Sequence, residues 1–156
     1  MEFTHLDGSG ASRMVDVSGK DVTVRMATAS GRVLLAPETV ALLRSGAVSK
    51  GDVLAVARVA AVTGAKQTAS LIPLCHPLPL HAVDVTLEVI DEGVHLQVTV
   101  RTAERTGVEM EALTAVSVGG LTVIDMVKSV DRSAVLTDVR VEAKSGGRSG
   151  AWVRGT

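Results

Sequence analysis

The side chains with the clearest chemical potential lie in two stretches: an apolar run carrying Glu109, Glu111, Asp125 and Lys128, and a proline-rich segment carrying Cys75, His76 and His81. Glu111 and Asp125 are fourteen residues apart, close to four helical turns, so a helix would set them on one face. Lys128 follows Asp125 by three and is its neighbour on a helix surface, an acid and a base within reach of one another. An exposed pair at this spacing is ordinarily a weak ion pair. Here it interrupts an apolar run, where charge is costly unless paired or used, and proton transfer is the use it suits. Glu109 has two readings: Thr106-Gly107-Val108-Glu109 matches a helix capping box, and Glu109 also stands beside the candidate acid Glu111.

Three of the four prolines fall within residues 71–81, so the segment around Cys75 and His76 is stiff. It reads equally as the wall of a ligand pocket and as a buried crossing between helix and sheet. Cys75, His76 and His81 invite a zinc reading and with it a zinc-dependent hydrolase, against which stands the need for three or four ligands, since no second Cys or paired His occurs at metal spacing. Arg25, Lys50, Lys66, Lys144 and Arg148 are scattered, and would form a polyphosphate site if the fold gathered them. Lys144 and Arg148 bracket Ser-Gly-Gly, whose amides could wrap an anion while the cations neutralise it; a flexible tail is the competing reading. No Walker-type G-x-x-x-x-G-K-[ST] occurs, so a nucleotide would not be held by a P-loop.

These side chains need elements to carry them. Residues 1–12 are polar and Gly/Ser-rich and read as a mobile arm. Residues 13–143 form the domain, and 144–156 a Gly-rich tail. Within the domain, residues 21–35 predict a strand bent at Ser30-Gly31, and Pro37 opens a short helix ending near Gly46. Residues 50–68 predict a helix with Val53, Ala57, Ala60, Ala61 and Gly64 on one side, small enough for close packing. Residues 83–89 and 94–100 alternate apolar and polar around the turn Asp91-Glu92-Gly93, a hairpin. A long helix over residues 108–130 and a strand over 134–143 complete the order β-α-α-β-β-α-β. The prediction is an α+β, ferredoxin-like βαββαβ domain, a four-stranded antiparallel sheet with helices on one face. The Val- and Leu-rich hairpin further predicts that oligomerisation covers the sheet's other face or its edges.

The composition excludes several classes. A chain of 156 residues, 46% hydrophobic and with formal charge -1, is globular rather than disordered. It lacks the basic excess of a nucleic-acid binder, and its single Phe and single Trp lie near the ends, leaving no aromatic platform for bases. One cysteine and no basic-then-apolar leader predict a reduced, cytoplasmic protein. No run of roughly 18 apolar residues is expected to span a membrane.

Taken together, Met14-Val-Asp-Val-Ser-Gly-Lys20, Lys50-Gly-Asp, Ala65-Lys66-Gln-Thr, Leu71-Ile-Pro-Leu-Cys-His-Pro77, Gly107-Val-Glu-Met-Glu-Ala-Leu-Thr-Ala115, Asp125-Met-Val-Lys128 and Lys144-Ser-Gly-Gly-Arg-Ser-Gly150 resemble the MoaC family, the cyclic pyranopterin monophosphate synthases of molybdenum cofactor biosynthesis. The resemblance covers nearly the whole chain after residue 12. It implies a ferredoxin-like subunit in a homohexamer, a trimer of dimers, with active sites between subunits. It also implies a lyase that rearranges a cyclised dihydro-GTP, made upstream by a radical SAM GTP cyclase, into cyclic pyranopterin monophosphate with loss of diphosphate. By motif position Asp125, Lys50 and Lys128 carry over as catalytic. Leu74, Cys75, His76, Met110 and Glu111 carry over as substrate contacts with Glu109 beside them, and Arg25, Lys66, Lys144 and Arg148 as contacts to substrate or triphosphate. No metal site or resident cofactor is implied, Mg²⁺ being the ion that could accompany the triphosphate. The alternative from another class is a non-catalytic ferredoxin-like module that binds an effector. Ala69-Ser70 stands where the family usually has an acidic residue, and Ile124 where it often has an aromatic. Gly119-Gly120 replaces small alanines, which costs about 2 kcal/mol of helix propensity and leaves room for a kink before Asp125.

Overall fold

The computed structural model describes residues 6–155. Along the chain it contains β1 (Thr23–Leu34), α1 (Pro37–Ser45), α2 (Val53–Lys66), α3 (Thr68–Leu71), β2 (Ala82–Ile90), β3 (Gly93–Glu104), α4 (Glu109–Val127), β4 (Val135–Ser145) and β5 (Trp152–Val153). One antiparallel sheet runs β2-β3-β1-β4-β5, and its first four strands with the helices have the interleaved βαβ connectivity of a ferredoxin-like domain. The strand count is five rather than the expected four. Trp152 and Val153, in the stretch read as a tail, pair with Lys144 and Ala143. Arg154 fastens this hairpin: its amide donates to the Glu142 carbonyl at 2.8 Å, its Nε to the Val141 carbonyl at 2.8 Å, and its guanidinium stacks 5.5 Å from the Trp152 ring centre. Of the expected N-terminal arm, residues 1–5 lie outside the described residues. Leu6 and Ser12 bridge around an Asp7 turn, in which Asp7 accepts from the Ser9 and Ala11 amides.

The period-two pattern of the hairpin sends Val85, Leu87, Val94, Leu96, Val98 and Val100 into the core. The reason for expecting an apolar second face therefore does not hold. The centre of that face is polar and internally bonded, Thr28 to Thr99 at 2.8 Å, Ser30 to Glu142 at 2.5 Å and Arg32 to Asp138 at 2.6 Å, with exposed Val24, Leu34 and Val135 towards its ends. The predicted bend in β1 is a register shift against β4 between Ser30 and Arg32.

The helix expected over 50–68 is two elements. Asp52 caps α2, its Oδ1 accepting from the Ala55 amide at 3.0 Å, and α3 adds one turn after Gln67. Pro37 opens α1 and Gly46 closes it in the left-handed region at φ 69°, as predicted. The α1 entry is completed from afar, because the buried Asp131 accepts from the Ala36 amide at 2.7 Å.

The kink expected at Gly119-Gly120 is absent, and α4 is unbroken. The glycines serve packing. A Cβ on Gly119 would lie 3.3 Å from the Ala61 Cβ, and one on Gly64 would lie 2.8 Å from the Val118 Cβ. Small residues thus let α2 and α4 run against each other, antiparallel, with Ala57, Ala61 and Gly64 buried between them. By length and average composition α4 would be long and apolar enough to cross a membrane, although Glu111, Thr114, Ser117, Thr122 and Asp125 interrupt it and no unbroken run of 18 apolar residues occurs. Its role here is that of a core helix, with Ala112, Ala115, Val116, Val123 and Val127 fully buried.

Candidate active site

Two groups of functional side chains form, one at each end of α4. At its N-terminal end a cavity of about 300 Å³ is lined by Leu74, Cys75, His76, Leu78, Glu109, Met110 and Glu111, with Val15, Val17 and Lys20 closing it from the N-terminal side. Of the two readings of the proline-rich segment, the pocket wall is the one the fold adopts. His76 Nε2 donates to the Val15 carbonyl at 2.7 Å, tying the segment that precedes β1 to this wall. Glu111 is 4% exposed, and burial, reinforced by the neighbouring charge of Glu109, pushes its carboxyl up to about 7, a value suited to taking or giving a proton near neutrality. Burial, with the Glu111 charge, also pushes the Cys75 thiol up, which disfavours a thiolate there.

The capping-box reading of Thr106 and Glu109 fails. Val108 is the N-cap of α4, and no side chain caps it. Glu109 instead meets Lys144, Oε1 to Nζ 3.1 Å, across from the end of β4.

A second cavity of about 150 Å³ opens beside the first and shares Lys20, Thr106, Gly107 and Glu109 with it; Arg25, Arg105 and Lys144 are its other charges. A third, of about 370 Å³, lies between Lys20, Asp21, Thr23, Arg25, Arg148 and Ser149, with Asp21 its one carboxylate. Lys144, at the end of β4, and Arg148, in the turn after it, thus both line cavities with Arg25. Arg25 is braced, donating from Nε to the Glu104 carbonyl at 2.8 Å and from Nη2 to the Arg105 carbonyl at 3.1 Å. Buried Thr23 Oγ1 has no hydrogen-bond partner among the described residues.

At the other end of α4, Lys128 Nζ contacts Asp125 Oδ1 at 2.7 Å, while Lys50, from the loop before α2, donates to the Asp125 carbonyl at 2.7 Å and lies 3.6 Å from its Oδ2. Hydrogen bonding and charge from Lys128, then the charge of Lys50, hold the Asp125 carboxyl below its ordinary range. This end is exposed, with the Asp125 side chain at 59%, so the cost of a buried charge does not account for the pair. Its distinction is the third member: Lys50 arrives from 75 residues away in the chain.

Not all the expected residues converge. Fourteen residues of α4 place Glu111 and Asp125 about 21 Å apart, on one face but at opposite ends. Lys66 ends α2 at the Glu111 end of the helix pair, exposed and outside these cavities. Among the described residues no three of His, Cys, Asp and Glu come together as metal ligands, and the exposed His81 is not in the cavity with Cys75 and His76. Sequence reasoning missed Lys20, Arg105 and Thr106 as cavity residues. Lys20 closes a motif that carried the family resemblance, which was the available signal; Arg105 had none.

Fold and site together define a ferredoxin-like α+β subunit with cavities lined by cations beside a buried carboxyl at one end of its long helix. The family model described as "MoaC family" matches residues 14–147, and the chain belongs to that family. It is 65% identical over 152 residues to the cyclic pyranopterin monophosphate synthase of Streptomyces coelicolor, covering 97% of this chain and 89% of that protein. The synthases of Nocardioides sp. (64% over 155 residues, 97% and 95% covered) and Dinoroseobacter shibae (57% over 154 residues, 96% of each) are similar over the same span.

Proposed function

We propose that this chain is a cyclic pyranopterin monophosphate synthase, a lyase of molybdenum cofactor biosynthesis acting on (8S)-3',8-cyclo-7,8-dihydroguanosine 5'-triphosphate. The observation that carries the reading is the pairing of a cation-lined cavity beside a half-open carboxyl cavity with an Asp-Lys-Lys cluster, in a chain 65% identical over nearly its full length to such a synthase. The triphosphate lies among Arg25, Lys144 and Arg148, and the guanine-derived ring sits against Leu74, Cys75, His76, Met110 and Glu111. With no Phe, Tyr or Trp in that cavity, the ring is held by its edges, whose N–H groups suit the carboxyl oxygens of Glu109 and Glu111.

The reaction opens the guanine-derived ring, builds a pyrazine ring onto the sugar carbons, and closes a cyclic phosphate when a sugar hydroxyl attacks the α-phosphorus and expels diphosphate. Proton transfers accompany each step. Asp125, kept ionised by Lys128 and Lys50, orients their two ammonium groups toward the reacting atoms, and Glu111, itself buried, relays a proton in the cavity it lines. Mg²⁺ accompanies the triphosphate as part of the substrate, and no resident cofactor is needed. Because the two groups stand about 21 Å apart in one chain, a single site combines the Asp125 end of one copy with the Glu111 end of another. That supports the homohexamer, a trimer of dimers, with Val56, Val59 and Leu121 among the exposed apolar residues of its helices available for burial. The enzyme works in the cytoplasm, downstream of the radical SAM GTP cyclase, and requires neither nucleic acid nor membrane.

The test is conversion of the cyclised dihydro-GTP to a product oxidisable to a fluorescent pterin, with release of diphosphate. Lys128→Ala is expected to lower the rate at least about 100-fold while the assembly and melting temperature are kept. Binding of the nucleotide without any conversion by assembled wild type would instead indicate a non-catalytic effector module.

A further inference from the structure

Lys50 is the member of the Asp-Lys-Lys cluster with no helix of its own. Asp125 and Lys128 keep their spacing because α4 and its C-cap carry them, whereas Lys50 sits in the crossing from α1 to α2, where Ser49, Lys50, Gly51 and Asp52 are all exposed. Its ammonium nevertheless finds one of the last four carbonyls of α4, that of Asp125, a group that helix geometry leaves without an intrahelical partner. The crossing is fastened at both ends. On the α1 side the Gly46 amide donates to the Leu43 carbonyl at 3.2 Å and the Ala47 amide to the Leu42 carbonyl at 3.1 Å. On the α2 side Asp52 Oδ1 accepts from the Ala55 amide at 3.0 Å and, with buried Val53, fixes the first turn of the helix. Between these points the Gly51 amide donates to the Val48 carbonyl at 3.0 Å, closing a four-residue turn with Gly51 at φ 99°, a conformation that glycine adopts without strain. Lys50 is the third residue of that turn, and the cap follows the turn directly.

We infer that Asp52 is a positioning residue for Lys50: by capping α2 immediately after the Val48–Gly51 turn, its side chain fixes the direction in which the turn presents the Lys50 ammonium to Asp125. An N-cap needs only a short side chain with an acceptor oxygen, so Asn and Ser serve in place of Asp and Ala does not. The catalytic consequence rests on the proposed reaction, but the contact itself is readable without turnover.

The contact is read from the Asp125 carboxyl, titrated by carboxyl-carbon NMR in the full-length assembled protein. Lys128 and Lys50 are the cations that face it, and Lys128 is unchanged in every variant. Lys50→Met sets the scale by raising the Asp125 midpoint. Asp52→Ala is expected to raise it by at least about half as much, because the ammonium is no longer aimed at Asp125. Loss of a nearby negative charge would by itself lower the midpoint, so Asp52→Asn and Asp52→Ser, which keep the cap, are expected at or slightly below wild type. In turnover of the cyclised dihydro-GTP, Asp52→Ala should lower kcat about tenfold with KM within about twofold, and Asp52→Asn should restore most of the rate. A rise in Asp52→Ala smaller than about half the Lys50→Met shift would overturn the inference. So would an equal rise in Asp52→Asn, which would make the charge rather than the cap responsible. Wild type that binds the nucleotide without converting it would count against the proposed function and leave the titration readable.

Discussion

Glu111 carries the sharpest chemical consequence at the scale of single residues. A carboxyl raised from 4.5 to about 7 keeps its proton in the folded chain over a range where the unfolded chain has lost it. The folded state therefore binds more protons between those values, and stability falls as pH rises through the window. Glu111→Gln removes that dependence. Relative to wild type the variant should gain stability at pH 8, by at most about 3 kcal/mol, and gain none at pH 4. Denaturant melts at the two pH values check this; a gain of equal size at both would mean that Glu111 is not held neutral by burial. The same variant should lose turnover, since Gln carries no transferable proton. Glu109 illustrates what short motifs cannot resolve. Its match to the capping box is real in sequence, but Lys144, 35 residues further on, takes the carboxylate, and Val108 begins the helix instead.

At the scale of elements, the periodic segments were legible and the close contacts were not. Alternation in β2 and β3 and the proline and glycine that bound α1 are local signals, and the structure follows them. Gly119 and Gly120 look like weakness within one helix, because what they touch, Ala61, Ala57 and Leu136, lies on other elements. Likewise β5 is two residues long, and its partners and the Arg154 clasp are visible only in three dimensions. The α2 to α4 contact makes its own prediction. A methyl on Gly64 would meet the Val118 Cβ, an atom close to the backbone, and the Thr114 carbonyl at 3.2 Å, so the helices would have to separate. Gly64→Ala should lose about 1 to 3 kcal/mol in chemical denaturation despite the better helix propensity of alanine. An unchanged or raised midpoint would show that the two helices are not held at their closest approach.

For the whole molecule, the candidate site was legible as a set of residues but not as a place. Asp125 and Lys128 announce each other at i, i+3. Lys50 joins them only because α2 runs antiparallel to α4; Lys144 reaches Arg25 because β4 pairs with β1, and Arg148 because the chain turns back after β4. Helical periodicity put Glu111 and Asp125 on one face, yet the same geometry sets them about 21 Å apart, too far to act on one small molecule from one chain. Placing the two ends in different copies resolves this, and mixed assemblies test it most directly. Lys128→Ala and Glu111→Gln chains, each inactive when assembled alone, are co-folded and assayed for conversion of the cyclised dihydro-GTP. If each site takes one end from each copy, the mixture regains activity, because some sites then combine two intact ends. A mixture as inactive as its parents, with hybrid assembly verified by mass, would contradict the account.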